Sequence, residues 1–221
     1  MRVEVYGDVL CPWCYIGKRR LTAALDQLAD GGRGRVQVVW RSYQLGVTSL
    51  TPGPTAAQQL GAMWGSEADA RLARIRELGQ AEGLELNLHR ARPVRSFDAH
   101  RLIHLGAAHD RVEAVLERLL HAYHTEALNI ADLQILQRVG IEAGLEPAEV
   151  RHVVAGDAYS AEVRGDQQRA AELGVSSVPS VVIDNRAPES GVQPLAQLRR
   201  LLQDTLAGAA SGRPAQLHRG W

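Results

Sequence analysis

Cysteine is scarce in this chain, occurring twice in 221 residues. Two cysteines cannot build the multi-bridge framework of a small disulfide-stabilised protein. Nor can they make a four-thiolate zinc site, which needs a second Cys-x-x-Cys. An excess of one charge is missing too: 25 basic side chains meet 25 acidic ones, for a formal net charge of zero. No basic run stands out, so neither nucleic acid nor an anionic membrane surface is an expected partner. No apolar stretch approaches the ~20 residues of a membrane span. The N-terminus opens straight into a strand-like segment with no charged-then-apolar leader, so the expected compartment is the cytoplasm. There is no internal repeat, and the length suits one large domain or a core with an inserted subdomain.

What is present is a pairing of the two cysteines as Cys11-Pro12-Trp13-Cys14. The tetrapeptide follows an extended apolar run, residues 3–8, and precedes a helical stripe of Ile16, Leu21, Leu25 and Leu28. A Cys-x-x-Cys placed where a strand feeds a helix is the layout of a dithiol redox site. Pro12 suits the first helical position, where a missing N–H costs nothing, which makes Cys11 the N-cap and puts Cys14 one turn on. Cys11 is expected at an exposed helix mouth, where free N–H groups and the helix dipole favour the nucleophilic thiolate. Cys14, further inside, is expected to resolve the mixed disulfide. A purely structural bridge over four residues closes too small a loop to stabilise much. A zinc site would have to recruit His100 with His104, or His121 with His124, and no metal is expected. A c-type haem site is excluded because Tyr15, not His, follows Cys14.

The pattern along the chain reads strand (3–8), helix (Pro12 to Asp30) and strand (35–41), a unit expected to form a parallel crossover. From about Thr55 to Gly174 the periodicity is helical, with Leu84–Leu88 as a short extended piece and Asp132 and Pro147 as helix starts. Residues 180–184 then form a β-branched strand, Asn185-Arg186 a turn into a second short strand near 187–190, and Pro194 opens a last helix. The expected fold class is therefore α/β, with a split core over residues 1–50 and 175–210, a helical insertion over 51–174 and a loose tail over 211–221.

The run Cys11-Pro12-Trp13-Cys14-Tyr15-Ile16-Gly17-Lys18 resembles the FrnE-like branch of the DsbA family, thioredoxin-fold thiol–disulfide oxidoreductases. Gly174-Val175-Ser176-Ser177-Val178-Pro179 is similar to that family's loop ending in a cis-proline. Ala99-His100-Arg101-Leu102 and Ser190-Gly191-Val192-Gln193 also match, and Tyr123-His124-Thr125-Glu126 less closely. The resemblance implies a thioredoxin-like core with a helical insertion. It also implies that Cys11, Cys14 and Pro179 are catalytic, with Pro12, Trp13, Tyr15, Val178, His100, Tyr123 and His124 as substrate-groove candidates. No bound cofactor is implied. Glutathione is the candidate reductant, and the expected substrates are disulfide-containing proteins or small thiols. There are departures: Ser180 replaces the usual aromatic after Val-Pro, His124 a common Phe and Ala127 a frequent Gly. They leave the redox centre intact and predict a more polar groove. Two other readings compete. One is a kappa-class glutathione transferase or 2-hydroxychromene-2-carboxylate isomerase, which shares the split core but usually has serine as nucleophile and no cysteine pair. The other is a binding module that merely retains the motif.

Overall fold

The structure, a computed structural model, describes residues 1–28 and 32–211. Alternation of valine with polar residues makes Arg2–Gly7 a strand, β1, and both of its faces are covered, so that even Glu4 is only 2% exposed. The parallel strand β2 (Gln37–Ser42) runs beside it with Val5 opposite Trp40. Helix α1 (Pro12–Asp26) lies between them in sequence, with Pro12 in its first turn. It ends before the expected Asp30 because the last turn tightens, Leu28 N–H reaching the Leu25 carbonyl at 3.1 Å. Residues 29–31 lie outside the described residues.

The middle of the chain is helical: α2 (Ala56–Trp64), α3 (Ala68–Ala81), α4 (Phe97–Ala108), α5 (Val112–His124), α6 (Leu133–Glu142), α7 (Pro147–Ala155) and α8 (Ser160–Glu172). Asp132 caps α6 by accepting from Gln134 N–H at 2.8 Å. Pro147 opens α7, and Gly174 follows α8 with a left-handed φ of 75°. The Leu84–Leu88 piece alternates as expected, with Leu84, Leu86 and Leu88 buried, but it joins no sheet. Its Asn87 N–H instead donates to the carbonyl of His124 at the end of α5, at 2.7 Å.

The chain then re-enters the sheet. Strand β3 (Ser180–Ile183) pairs antiparallel with β1, and β4 (Glu189–Ser190) pairs with β3, giving the order β2-β1-β3-β4. The reversal between them uses left-handed φ at Asp184 (45°) and Asn185 (59°), one residue earlier than the expected Asn185-Arg186. Asp and Asn tolerate that region better than Arg. Helix α9 (Leu195–Ser211) buries Leu198, Leu202 and Leu206 and packs on α1. Of the expected loose tail, residues 212–221 lie outside the described residues.

Candidate redox site

Between β1 and α1, Cys11 N–H bonds to the Asp8 carbonyl at 3.1 Å, and Cys14 N–H to the Cys11 carbonyl at 3.0 Å. Cys11 is the N-cap residue, extended at φ −86° and ψ 114°, and its sulfur makes no cap bond. Both cysteines are free thiols. One expectation needs correcting: Cys11 is not exposed at the helix mouth but only 5% accessible. The loop carrying Val178 closes over it, and the Cys11 thiol donates to the Val178 carbonyl at 3.7 Å. The Val178–Pro179 peptide is cis. Pro179 sits against α1 so closely that a Cβ on Gly17 would come within 3.3 Å of its ring, and Gly191 N–H holds its carbonyl at 2.8 Å. Cys14 is fully buried. Burial pushes its thiol well above the ordinary value, contact with Cys11 adds to the rise, and the Asp8 backbone partly opposes it.

Three residues that the sequence reading passed over underlie the pair. Gly7 has no space for a side chain, since a Cβ there would lie 2.6 Å from the Trp40 ring and 3.2 Å from Cys14 Sγ. Trp40 and Cys14 thus both close on Gly7. Asp8, wholly buried, accepts from Leu10 N–H (3.3 Å) and Leu45 N–H (2.8 Å) and contacts His100 Nε2 at 3.3 Å. Asp8 is thus a buried carboxyl group held by two amides and an imidazole, on the loop whose backbone bonds to Cys11 N–H.

A family model described as the DSBA-like thioredoxin domain matches residues 2–203. The chain belongs to that family. It is 33% identical to the crystal structure of a probable DsbA oxidoreductase from Streptomyces coelicolor, with a TM-score of 0.82, covering 98% of this chain and 92% of that one. A cytosolic disulfide reductase, DsbM of Pseudomonas aeruginosa, solved with GSH, shares the fold at 20% identity and a TM-score of 0.64, covering 94% of this chain and 100% of that one. A 2-hydroxychromene-2-carboxylate isomerase shares the fold as well, at 16% identity and a TM-score of 0.69, with 97% and 100% coverage. Among curated proteins, the uncharacterized YwbO of Bacillus subtilis is 25% identical over 193 residues, 83% of this chain and 86% of that protein.

The groove candidates fall into two sets. Trp13 and Val178 are half-buried at the rim of the dithiol. Pro12, Tyr15, His100, Tyr123 and His124 are closed off from solvent and form no open wall, which corrects the groove expectation. Packing of α4 and α5 behind α1 is the reason: Tyr15 donates to Glu117 of α5 at 2.6 Å, and its ring lies 5.9 Å from that of His124. Tyr123 meets His124 edge-on at 4.8 Å. Burial lowers the His124 imidazole to about 4, with the Val9 backbone and the Asp8 charge only partly opposing, so the ring is neutral near pH 7.

His100 Nδ1 and the Tyr123 hydroxyl have no protein hydrogen-bond partner among the described residues, whereas the His124 ring keeps a hydrogen bond to the Val9 backbone. Leaving such a buried atom unpaired costs about 1–3 kcal/mol. The histidine pairs weighed for zinc turn to different partners: His100 to Asp8, His104 to Asp166 and Ser42, and His121 to Glu126. Ala127, where a Gly is frequent, holds a left-handed φ of 58°, a conformation that favours glycine. Ser180, in place of an aromatic, is buried and donates to the Ser177 carbonyl at 2.7 Å. Among the described residues no helix is long and apolar enough to cross a membrane.

Proposed function

We propose that this chain reduces or reshuffles disulfides in a reducing cytosol, with the Cys11/Cys14 dithiol as its redox centre and glutathione as its reductant. The observation that carries the reading is the placement of Cys11 at the N-terminus of α1, facing the Val178 carbonyl, with Cys14 buried one turn behind it. Cys11 thiolate attacks one sulfur of a substrate disulfide and expels the other as a thiolate. Cys14 then loses its proton and attacks Cys11 Sγ in the mixed disulfide. The substrate's second sulfur leaves as a thiolate, and a Cys11–Cys14 disulfide remains. Asp8 is the candidate acceptor for the Cys14 proton. Two glutathione thiols return the couple to the dithiol and become one glutathione disulfide. The fold shared with a disulfide reductase solved with GSH supports this choice of reductant. Val178, next to the cis peptide, offers its backbone to an extended substrate segment, with Trp13 beside it.

Dithiol-dependent reduction of insulin tests the proposal. Cys11→Ser is expected to abolish turnover, whereas Cys14→Ser is expected to accumulate mixed disulfides at Cys11, read by mass spectrometry. The isomerase reading predicts a different result, glutathione-dependent isomerisation of a small aromatic substrate that survives Cys14→Ser. Absence of insulin reduction together with that activity would replace the proposal.

A further inference from the structure

The outer strand of the sheet is incompletely covered where it meets α1 and α5. Residues of β1 and β2 that stand in register share a face, so Val3 pairs with Val38 and Val5 with Trp40. Val3 is fully enclosed, and Val5 and Trp40 are buried, yet Val38 on the edge strand is only half-buried. Beside it lies a cavity of about 440 Å³. Val38 and Trp40 of β2, Leu21 and Leu25 of α1, and Val112 and Leu116 of α5 line it. None of Cys11, Cys14, Val178 and Pro179 does, so its occupant is not the disulfide of the redox reaction. An apolar space of about 300–1,000 Å³ with a few fixed polar groups is the usual make-up of a small-molecule site.

Two features state the chemistry of an occupant. The first is the indole N–H of Trp40, which is buried without a hydrogen-bond partner among the described residues. An unmet buried donor costs about 1–3 kcal/mol, and an acceptor carried in by a ligand removes that cost. The second is the charge around the cavity, which comes from Lys18, Arg33 and Glu113. Lys18 is held by Glu113 at 3.1 Å and by Glu117 at 3.0 Å, and Arg33 by Asp26 at 2.7 Å. Each of these charges is already matched, so none is left to recognise an ion, and an ionised ligand would lie against apolar walls uncompensated. We propose that the cavity is a binding site for an uncharged, largely apolar carbonyl compound. The Trp40 indole donates to the carbonyl oxygen, the leucine and valine side chains enclose the hydrocarbon part, and no covalent bond is made or broken.

The probe is 2-acetylnaphthalene, a neutral ketone, titrated into the reduced, ¹⁵N-labelled full-length protein. The Trp40 indole N–H resonance, identified by its loss in Trp40→Phe, is expected to move downfield and saturate. Two analogues separate the contributions. 2-Ethylnaphthalene keeps the hydrocarbon but has no acceptor, and it is expected to bind about fivefold more weakly, as is the ketone to Trp40→Phe. 2-Naphthoate carries a charge, and it is expected to bind at least about tenfold more weakly than the ketone. Val38→Phe places a ring in the cavity and is expected to abolish binding. The series of three probes is read on the unmodified protein and does not depend on how either variant folds. A Trp40 resonance that the ketone leaves unmoved would overturn the proposal. So would naphthoate or ethylnaphthalene binding as tightly as the ketone, or undiminished ketone binding to Val38→Phe.

Discussion

Gly7 and His124 show how tightly single residues are fixed around the sulfurs. At Gly7 the limit is volume. Alanine would drive a methyl group to 2.6 Å from the Trp40 ring and 3.2 Å from Cys14 Sγ. Overpacking of this kind typically costs about 1–3 kcal/mol, so Gly7→Ala is expected to lower the unfolding free energy measured by urea denaturation at pH 7 by that amount. At His124 the limit is charge. The folded protein excludes a proton from a ring that titrates at 6.5 in the unfolded chain and at about 4 in the folded one. Between those values the unfolded state binds more protons, so stability falls as pH falls through the window. Replacing His124 with Phe removes this loss. Relative to the unmodified protein, the variant is expected to gain about 3 kcal/mol on going from pH 7 to pH 4. Urea denaturation of both proteins across that range measures it, and parallel curves would show that His124 does not carry the effect. Neither residue announces its role in the sequence. Cys11 and Pro12 could be read because an N-cap and a first-turn proline are local facts. Asp8 could not, because its partners His100 and Leu45 stand 92 and 37 positions away.

Helix α8 adds ion pairs to its apolar contact with the sheet. Glu4 on β1 accepts from Arg41 of β2 at 2.7 Å and from Arg169 of α8 at 2.9 Å, while Arg41 also reaches Asp166 of α8 at 2.8 Å. Burial alone would raise the Glu4 carboxyl, but Arg169 and Arg41 overcome it and hold the group below its ordinary 4.5. Glu4→Gln takes the carboxylate from three guanidinium groups, those of Arg2, Arg41 and Arg169, of which Arg41 keeps Asp166 and Arg169 keeps Asn185. Because all three remain partly in contact with water, the expected loss is about 2 kcal/mol, less than for a fully enclosed pair. A carboxylate with a lowered folded value stabilises above its unfolded value and loses that contribution as pH falls below about 4.5. The gap between Glu4→Gln and the unmodified protein should therefore close in acid, in a range below the His124 window. A gap that stays constant to pH 3 would mean that packing, not charge, sets the cost. The elements themselves were largely legible, since β1, α1, α6 and α7 declare themselves through alternation, Pro12, Asp132 and Pro147. What the pattern could not reveal is the pairing of Leu84–Leu88, whose alternation is that of a strand. Whether such a segment joins a sheet depends on who occupies its neighbouring space, and here that neighbour is the end of α5.

For the molecule as a whole the open quantity is the direction of electron flow. It follows from the balance between the couple and its surroundings. The residues between the cysteines, Pro12 and Trp13, carry no charge. The nearest cations in sequence, Lys18 and Arg19, are committed to Glu113 and Glu117 on α5. Burial keeps His124 uncharged near neutrality, so it adds no cation beside the dithiol. Little in the fold therefore selects the reduced form as strongly as in the most oxidising relatives. The potential of the couple is expected at roughly −160 to −250 mV, between about −120 mV for the strongest oxidants and about −270 mV for thioredoxin. Against a glutathione poise of about −260 mV, a couple near −200 mV rests with about a hundredfold excess of dithiol, because each ~30 mV is tenfold for two electrons. A resting dithiol donates electrons to disulfides; it cannot introduce them without a dedicated oxidant. Equilibration with glutathione buffers, followed by quantification of free Cys11 and Cys14 thiols, fixes the value. A potential above about −130 mV would reverse the assignment and make the chain an oxidase. In that event the closure of Val178 over Cys11 would have to be understood as shielding a disulfide from reduction rather than holding a thiol ready to react.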